Sequence, residues 1–287
     1  MSLATLVATT TLRLATAGVP SPEADAQLMV AHVLGIGRGE LVARVHRGDE
    51  AAPELTRAVE ALATRREKRE PLQHLLGVAP FMSFEVVVGP GVFIPRPETE
   101  SLAERAIHVA QTLGVGDRVT TIVDLCAGSG VLAICLAREV PWATVIAVEA
   151  ADTAVAYLQQ NAARLAPEVS IRHETVASAR DTCVPGSVDL VVSNPPYVPV
   201  GEIPNEPEVS DFDPPEALFG GVDGMEVVSQ VVAFAKCALR PGGVVMIEHA
   251  NVQGETVRGL LEGAGFRLVA TEQDLVGRDR FTHGVAG

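Results

Sequence analysis

The sequence predicts an α/β protein: a mainly parallel, doubly wound sheet covered by helices on both faces, with a small helical region in front of it. Two observations predict this. From about residue 97, apolar runs of strand length alternate with segments of helical pattern, and such alternation places helices on both faces of a parallel sheet. Before residue 70 the apolar residues recur at helical spacing instead.

In the helical region, Leu3, Leu6, Val7, Leu12 and Leu14 fall roughly on one face. Ser21-Pro22-Glu23 opens a second helix, with Ser as N-cap and Pro at the first helical position. Leu28, Met29, Val33 and Leu34 form its core stripe, and Gly35 stops it. A third helix starts after Pro53, with Leu55, Val59 and Leu62 facing inward. Its basic end, Arg65-Arg66-Glu67-Lys68-Arg69, complements the helix dipole and reads as a solvated helix end or, alternatively, a partner-binding patch. Residues 78–93, VAPFMSFEVVVGPGVF, hold β-formers broken by Gly and Pro, which suggests a hairpin linker. Strands are expected at 120–126, 144–150, 188–194 and 242–250, with closing strands at 266–274 and 280–285. Helices are expected at 130–139, 153–165, around 225–239 and at 252–263. The Pro-rich, acidic stretch 199–216 reads as a long surface loop that is either solvated or in contact with basic groups of a substrate.

With 287 residues, 47% hydrophobic and 20% charged, the chain is long enough for two domains and a sizeable core. No apolar run reaches the roughly 18 residues that span a bilayer. The first residues lack a basic region, and Arg13 interrupts their apolar stretch, so no signal peptide is expected. Cys126, Cys135, Cys183 and Cys237 are widely spaced and read as free buried thiols in a reducing cytoplasm rather than as metal ligands. The net charge is −14 and uneven: residues 1–100 hold 10 basic and 12 acidic residues, and the remainder 12 and 24. Such a chain is a poor binder of polyanions.

Two motifs carry chemistry. DLCAGSG (124–130) lies at a strand-to-helix junction. Gly128 and Gly130 allow close backbone approach, and the following helix points its amides at whatever binds. Glu149, at the end of the next strand, can accept both hydroxyls of a ribose. Gly128 to Ala133 also fits a dinucleotide pattern, but a lone match of that kind is weak. Asp124 at the strand end repels a pyrophosphate and suits a cationic ammonium group, which favours S-adenosylmethionine. SNPPY (193–197) ends another strand. Its prolines remove backbone donors and leave carbonyls free, Asn194 adds a side-chain carbonyl, and Tyr197 offers an aromatic face. Together they suit a planar NH2 group. Such a nitrogen is a weak nucleophile, so holding both its N–H bonds against an electrophilic methyl is catalysis by positioning. A third segment, PLQHLLG with VFIPRPETE (71–77 and 92–100), reads on its own as the start of a helix, with Arg96 as a salt-bridge partner or a ligand contact.

The order PLQHLLG, IPRPETE, DLCAGSG, SNPPY, EALFGGVDGM (216–225), RPGGVVMIE (240–248) and DLVGRDRF (274–281) resembles the HemK/PrmC glutamine methyltransferases from about residue 20 to 284. That family modifies the Gly-Gly-Gln glutamine of class I peptide-chain release factors. The resemblance implies a Rossmann-like, seven-stranded class I methyltransferase domain (97–287), a β-hairpin linker (77–96) and an N-terminal helical domain (1–76) that helps bind the release factor. It implies S-adenosylmethionine at Asp124, Cys126, Ala127, Gly128, Ser129, Gly130 and Glu149. It implies that Asn194, Pro195, Pro196 and Tyr197 hold the glutamine amide, with Asn194 touching both ligands. Metal is not expected, nor are membrane or direct nucleic-acid partners, and the chain is expected to be monomeric. His74 stands where the family usually has Tyr, and Glu149 where it usually has Asp. For the acidic residue near the adenine, Glu174 and Asp181 are the available substitutes. Three other readings stand beside this one: methylation of a glutamine in a ribosomal protein, methylation of a nucleic-acid base, and a nicotinamide-dependent oxidoreductase or non-catalytic nucleotide module. The acidic C-terminal portion weighs against the base, and NPPY is unexplained by the last.

Overall fold

The structure, a computed structural model, describes residues 1–114 and 119–287. The chain forms two compact units. The first comprises Met1–Val78 together with Pro204–Phe212, and the second Ala79–Ile203 with Asp213–Gly287.

The first unit is helical: α1 (Leu3–Thr16), α2 (Pro22–Leu34), α3 (Arg38–His46), α4 (Pro53–Arg66) and the short α5 (Leu72–Leu76). Pro22 and Pro53 open their helices, where a missing N–H costs nothing. Ser21 occupies the N-cap position, but its side chain makes no capping bond. One cluster packs Leu3, Leu6, Val30, Leu41 and Val59; another packs Leu14, Met29, Ala63 and Leu75. The helices α3 and α5 were not expected. Residues 38–46 hold just Leu41 as a fully buried side chain, so their helical stripe is thin.

The basic end of α4 is solvated only in part: Arg65 and Lys68 are exposed, whereas Arg66 and Arg69 are held by carboxylates. Arg66 is 5% exposed and donates to Asp25 Oδ2 at 2.8 Å and to Glu208 Oε1 at 2.8 Å. Arg69 clamps both oxygens of the same Glu208, at 2.7 and 2.6 Å. Glu208 lies in the short helix α10 (Pro207–Ser210), inside the acidic stretch read as a surface loop. That stretch is therefore mixed in kind: Glu202, Glu206, Asp211 and Glu216 are exposed, whereas Glu208 is fixed by arginines of its own unit. Asp213 is also buried, and takes Arg96 Nη2 at 2.6 Å within the second unit.

The second unit begins with the two-stranded sheet β1 (Val78–Phe81) and β2 (Phe84–Val87), whose first residue still belongs to the helical unit. Phe81, Val86, Val88, Val92 and Ile94 of this region join the main core of the unit. There follow α6 (Pro97–Leu113), β3 (Thr121–Leu125), α7 (Val131–Glu139), β4 (Thr144–Glu149), α8 (Asp152–Leu165), β5 (Ser170–His173), α9 (Val176–Thr182) and β6 (Val188–Ser193). After α10 come α11 (Pro215–Leu218), α12 (Glu226–Ala238), β7 (Leu239–Glu248), α13 (Gly254–Ala264), β8 (Arg267–Gln273) and β9 (Asp279–Val285). Seven strands form one sheet in the order β5-β4-β3-β6-β7-β9-β8. The pairs from β5 to β7 are parallel, and β9 runs antiparallel to both its neighbours. One face is covered by α6, α7 and α8 through Leu102, Leu132, Leu136 and Leu158. The other is covered by α9, α12 and α13 through Val176, Val228, Val232, Val257 and Leu261. The strand β5, SIRH, was not expected, because an edge strand with no fully buried residue lacks an apolar run.

The chain leaves β3 for β4 and β5 on one side, then crosses back to β6 on the other. The order therefore reverses at β3, and ligands of open parallel sheets bind where it does, beyond the C-terminal strand ends. Among the described residues no helix is long and apolar enough to cross a membrane.

Burial opposes ionisation of Glu208, but hydrogen bonds from Arg69 and Arg66 outweigh it and hold the carboxyl below the usual range. A depressed carboxyl contributes stability that is present at neutral pH and lost as pH falls through its folded value. Glu208→Ala is expected to destabilise the helical unit by about 1–2 kcal/mol, since Arg66 keeps Asp25 but loses one carboxylate and Arg69 loses both its bonds to Glu208. Hydrogen exchange of the α2 and α4 amides against those of β3 and β6 measures this, and the gap from the parent closes at strongly acidic pH.

Candidate active site

The glycine turn is held from three sides. Ala127 N donates to Val148 O at 3.0 Å and Gly130 N to Ala127 O at 2.8 Å. Asn161, fully buried in α8, donates to Ser129 O at 3.0 Å and to Val87 O at 2.9 Å, and accepts from Val87 N at 2.7 Å. Cys126 has φ of 60°, a left-handed conformation that a side chain rarely adopts, so the turn is strained at its first residue. The two glycines differ in purpose. A Cβ on Gly128 meets nothing within 4 Å, so that side of the turn is open. A Cβ on Gly130 falls 2.4 Å from Leu158 Cδ1, so this glycine makes room for the core rather than for a ligand.

Glu149 curls back on the turn: its Oε2 accepts from Gly128 N, and its Oε1 from Ala150 N and Ala151 N, each at 2.8 Å. Glu174 adjoins it, its backbone N donating to Glu149 O at 3.0 Å, while its carboxylate pairs with Arg172. Asp181 is exposed in α9 and pairs with Arg180. Asp124 is fully buried. Its Oδ2 accepts from Ala133 N at 3.0 Å, capping the first turn of α7, and its Oδ1 has no hydrogen-bond partner. Burial lifts its pKa to about 8, with the Ala133 bond pulling down and Glu149 pushing up. Burial, with Glu149 and Asp124 beside it, also raises the Cys126 thiol, so this cysteine is no nucleophile. Cys135 is buried, whereas Cys126, Cys183 and Cys237 are partly exposed; Cys183 Sγ lies 3.0 Å from Cys237 Sγ.

The SNPPY segment ends β6, one strand over. Ser193 Oγ donates to Leu125 O at 2.7 Å and ties the ends of β6 and β3 together. Asn194 is partly exposed, and its Nδ2 donates to Thr99 Oγ1 at 3.2 Å. Pro195 and Pro196 are buried. The Tyr197 carbonyl is already taken by Gln253 Nε2 at 2.8 Å. Burial raises the Tyr197 hydroxyl, with Glu248 adding to the shift, so it stays protonated. Arg96 pairs with Asp213 and lies 5.1 Å from the Phe93 ring centre, which settles it as a salt-bridge partner.

The glycines of EALFGGVDGM, quoted above without a role, cradle this segment. A Cβ on Gly220 lies 2.3 Å from Pro196 O, and one on Gly224 lies 2.2 Å from Tyr197 O. Val198 and Gly220 exchange backbone bonds with the 218–220 and 198 positions: Val198 N donates to Leu218 O at 2.8 Å and Gly220 N to Val198 O at 2.9 Å. Sequence reading missed Thr99, Gly220, Gly224, Glu248 and Gln253. The signal was the pair of motifs IPRPETE and GGVDGM, whose partners are distant in the chain.

Gly224→Ala is expected to lower the melting temperature by the equivalent of about 1–3 kcal/mol, because it forces the Tyr197 backbone to move. Gly259→Ala, in α13 with nothing within 4 Å of the added Cβ, is the control and should raise it slightly.

Residues 5–77 match the PrmC N-terminal domain family, and residues 106–204 match the methyltransferase small domain family. The release factor glutamine methyltransferase of Mycolicibacterium smegmatis is 47% identical over 281 residues, 97% of this chain and 96% of that one. That of Streptomyces coelicolor is 44% identical over 277 residues, 96% and 95% of the two chains. That of Bifidobacterium longum is 38% identical over 280 residues, 94% and 95%. With such identity sustained through both the helical unit and the sheet unit, the chain belongs to the release factor glutamine methyltransferase family.

Proposed function

We propose that this chain methylates the side-chain amide nitrogen of the glutamine in the Gly-Gly-Gln motif of class I peptide-chain release factors. As a member of its family it is an S-adenosylmethionine-dependent glutamine methyltransferase. The observation that carries the finer reading is the convergence of DLCAGSG, Glu149 and SNPPY at the C-terminal ends of the neighbouring strands β3, β4 and β6, with β3 and β6 paired directly and Ser193 tied to Leu125.

The residues present fit the cofactor. The open side of Gly128 admits close backbone approach, Glu149 offers a carboxylate for ribose hydroxyls, and the unpartnered Asp124 Oδ1 suits a positive group. Cys126, Ala127, Ser129 and Gly130 complete the turn. When bound, S-adenosylmethionine supplies an electrophilic methyl on a sulfonium. Asn194 Oδ1 and the carbonyls before Tyr197 accept the two N–H bonds of the substrate amide, and the Tyr197 ring packs on its plane. The buried prolines exclude water and donate nothing, so the amide lone pair has no competing partner. No base is required: the methyl would pass from the sulfonium to the amide nitrogen, leaving S-adenosylhomocysteine, and the methylated amide would then lose one N–H proton to solvent. The helical unit helps bind the release factor, and the enzyme works as a cytoplasmic monomer.

Labelled S-adenosylmethionine incubated with purified release factor should mark the wild-type protein and not its Gly-Gly-Gln→Gly-Gly-Ala variant. Label in both, or in neither, would sink the substrate assignment. Asn194→Ala should nearly abolish turnover while cofactor affinity falls much less. A carboxyl lifted by burial contributes most to stability while neutral and loses that contribution as pH rises through about 8. A cation placed at Asp124 favours the ionised form, so cofactor affinity should strengthen by up to about tenfold per pH unit on approaching that value from below. Calorimetry on the parent and on Asp124→Asn, whose affinity should lose this slope, checks it.

A further inference from the structure

Thr99 and Glu248 are buried polar side chains beside the amide-holding segment, and the mechanism above uses neither. Thr99 stands in the first turn of α6 and is 2% exposed; Glu248 ends β7 and is 1% exposed. The β6–β7 ladder pairs Ser193 with Ile247, so Asn194 and Glu248 each follow one step beyond a paired residue. The Thr99 and Tyr197 hydroxyls lie beside the Glu248 carboxyl and favour its ionised form, and Arg280 and Glu98 also act on it. Its Oε2 has no hydrogen-bond partner. On the other side, Thr99 Oγ1 receives Asn194 Nδ2 at 3.2 Å.

The direction of this chain follows from the inventory of protons. An ionised carboxylate accepts and never donates, whereas a hydroxyl has one proton to give. With Glu248 ionised, above the value of about 7 to which burial lifts it, the Thr99 proton goes to Glu248, and Thr99 presents a lone pair to Asn194. An amide facing a lone pair turns its NH2 toward it, because the flipped amide would set oxygen against oxygen. Asn194 Oδ1 is then left pointing away from Thr99.

We infer that Thr99 and Glu248 are positioning residues that fix which end of the Asn194 amide meets the substrate: Glu248 orients the Thr99 hydroxyl, and Thr99 orients Asn194. The inference rests on the reading that Asn194 Oδ1 holds the substrate amide. It explains why a carboxylate is kept at a buried strand end, where desolvation is costly. The acceptor at 194 is set before substrate arrives, and pre-set geometry is what catalysis by positioning requires.

Thr99→Val removes the hydroxyl at nearly constant volume. At pH well above the value of about 7 to which burial lifts Glu248, this variant should lose roughly 10- to 100-fold in kcat. KM for the release factor and affinity for S-adenosylmethionine should stay near the parent's, while the melting temperature falls by a few degrees because buried polar groups lose a partner. Thr99→Ser, which keeps the hydroxyl, should recover most of the lost kcat. If Thr99→Val does not fold, Thr99→Ala against Thr99→Ser gives the same comparison. Combined with Asn194→Ala, Thr99→Val should cost nothing further, because Thr99 acts through Asn194. Parental kcat in Thr99→Val beside an inactive Asn194→Ala overturns this inference alone, and so does full additivity in the double variant. Parental turnover in Asn194→Ala overturns the reading of the site, and the inference with it.

Discussion

The reversal of strand order at β3 is the constraint on which the rest of the molecule depends. Strands to either side of that point send their connections over opposite faces, which opens a crevice at the C-terminal ends of β3 and β6. Into that crevice the chain delivers a glycine turn from β3, a carboxylate from β4 and an Asn-Pro-Pro segment from β6. The distances between them are set by parallel pairing, with register running from Ile122–Leu190 to Leu125–Ser193. A hydrogen bond from Ser193 to the Leu125 carbonyl then locks the two strand ends.

Placing a site at buried strand ends has an electrostatic cost, and the molecule meets it differently at each carboxylate. At the opposite, N-terminal end of β6, Asp189 is satisfied outright, with Arg240 at 2.6 Å and the Thr121 amide at 2.8 Å. Glu149 is wrapped by three backbone amides. Asp124 and Glu248 are left with one unpartnered oxygen each and with raised pKa values. Incomplete satisfaction of a buried charge costs several kcal/mol and is the kind of local strain that gathers at functional sites. Both incompletely satisfied groups flank the crevice.

The segment after SNPPY shows the same division between chemistry and support. Its sequence is Pro-rich and acidic, which on composition alone describes a solvated loop. In the structure Glu208 is gripped by Arg66 and Arg69, and Asp213 by Arg96. The glycines that follow lie against the Pro196 and Tyr197 carbonyls, where any side chain would collide. A stretch that carries no reacting group thus sets the backbone of the one that does.

The local pattern of residues by itself determined the alternation of strands and helices, the helix starts at Pro22 and Pro53, and the places of the glycine turn, Glu149 and the Asn-Pro-Pro-Tyr segment. These are short-range signals: apolar period, fixed φ at proline and motif spacing within one strand–turn–helix unit. The edge strand β5 escaped because it buries too little to leave an apolar run, and α3 because its buried stripe is a single leucine. Tertiary structure alone decided that Gly130 serves Leu158, that Arg66 is buried against Asp25 and Glu208, and that Thr99 stands between Asn194 and Glu248. The physical reason is distance along the chain. Thr99 and Asn194 are 95 residues apart, and a hydrogen bond between such partners exists because the sheet brings their elements together, not because of anything adjacent to either residue.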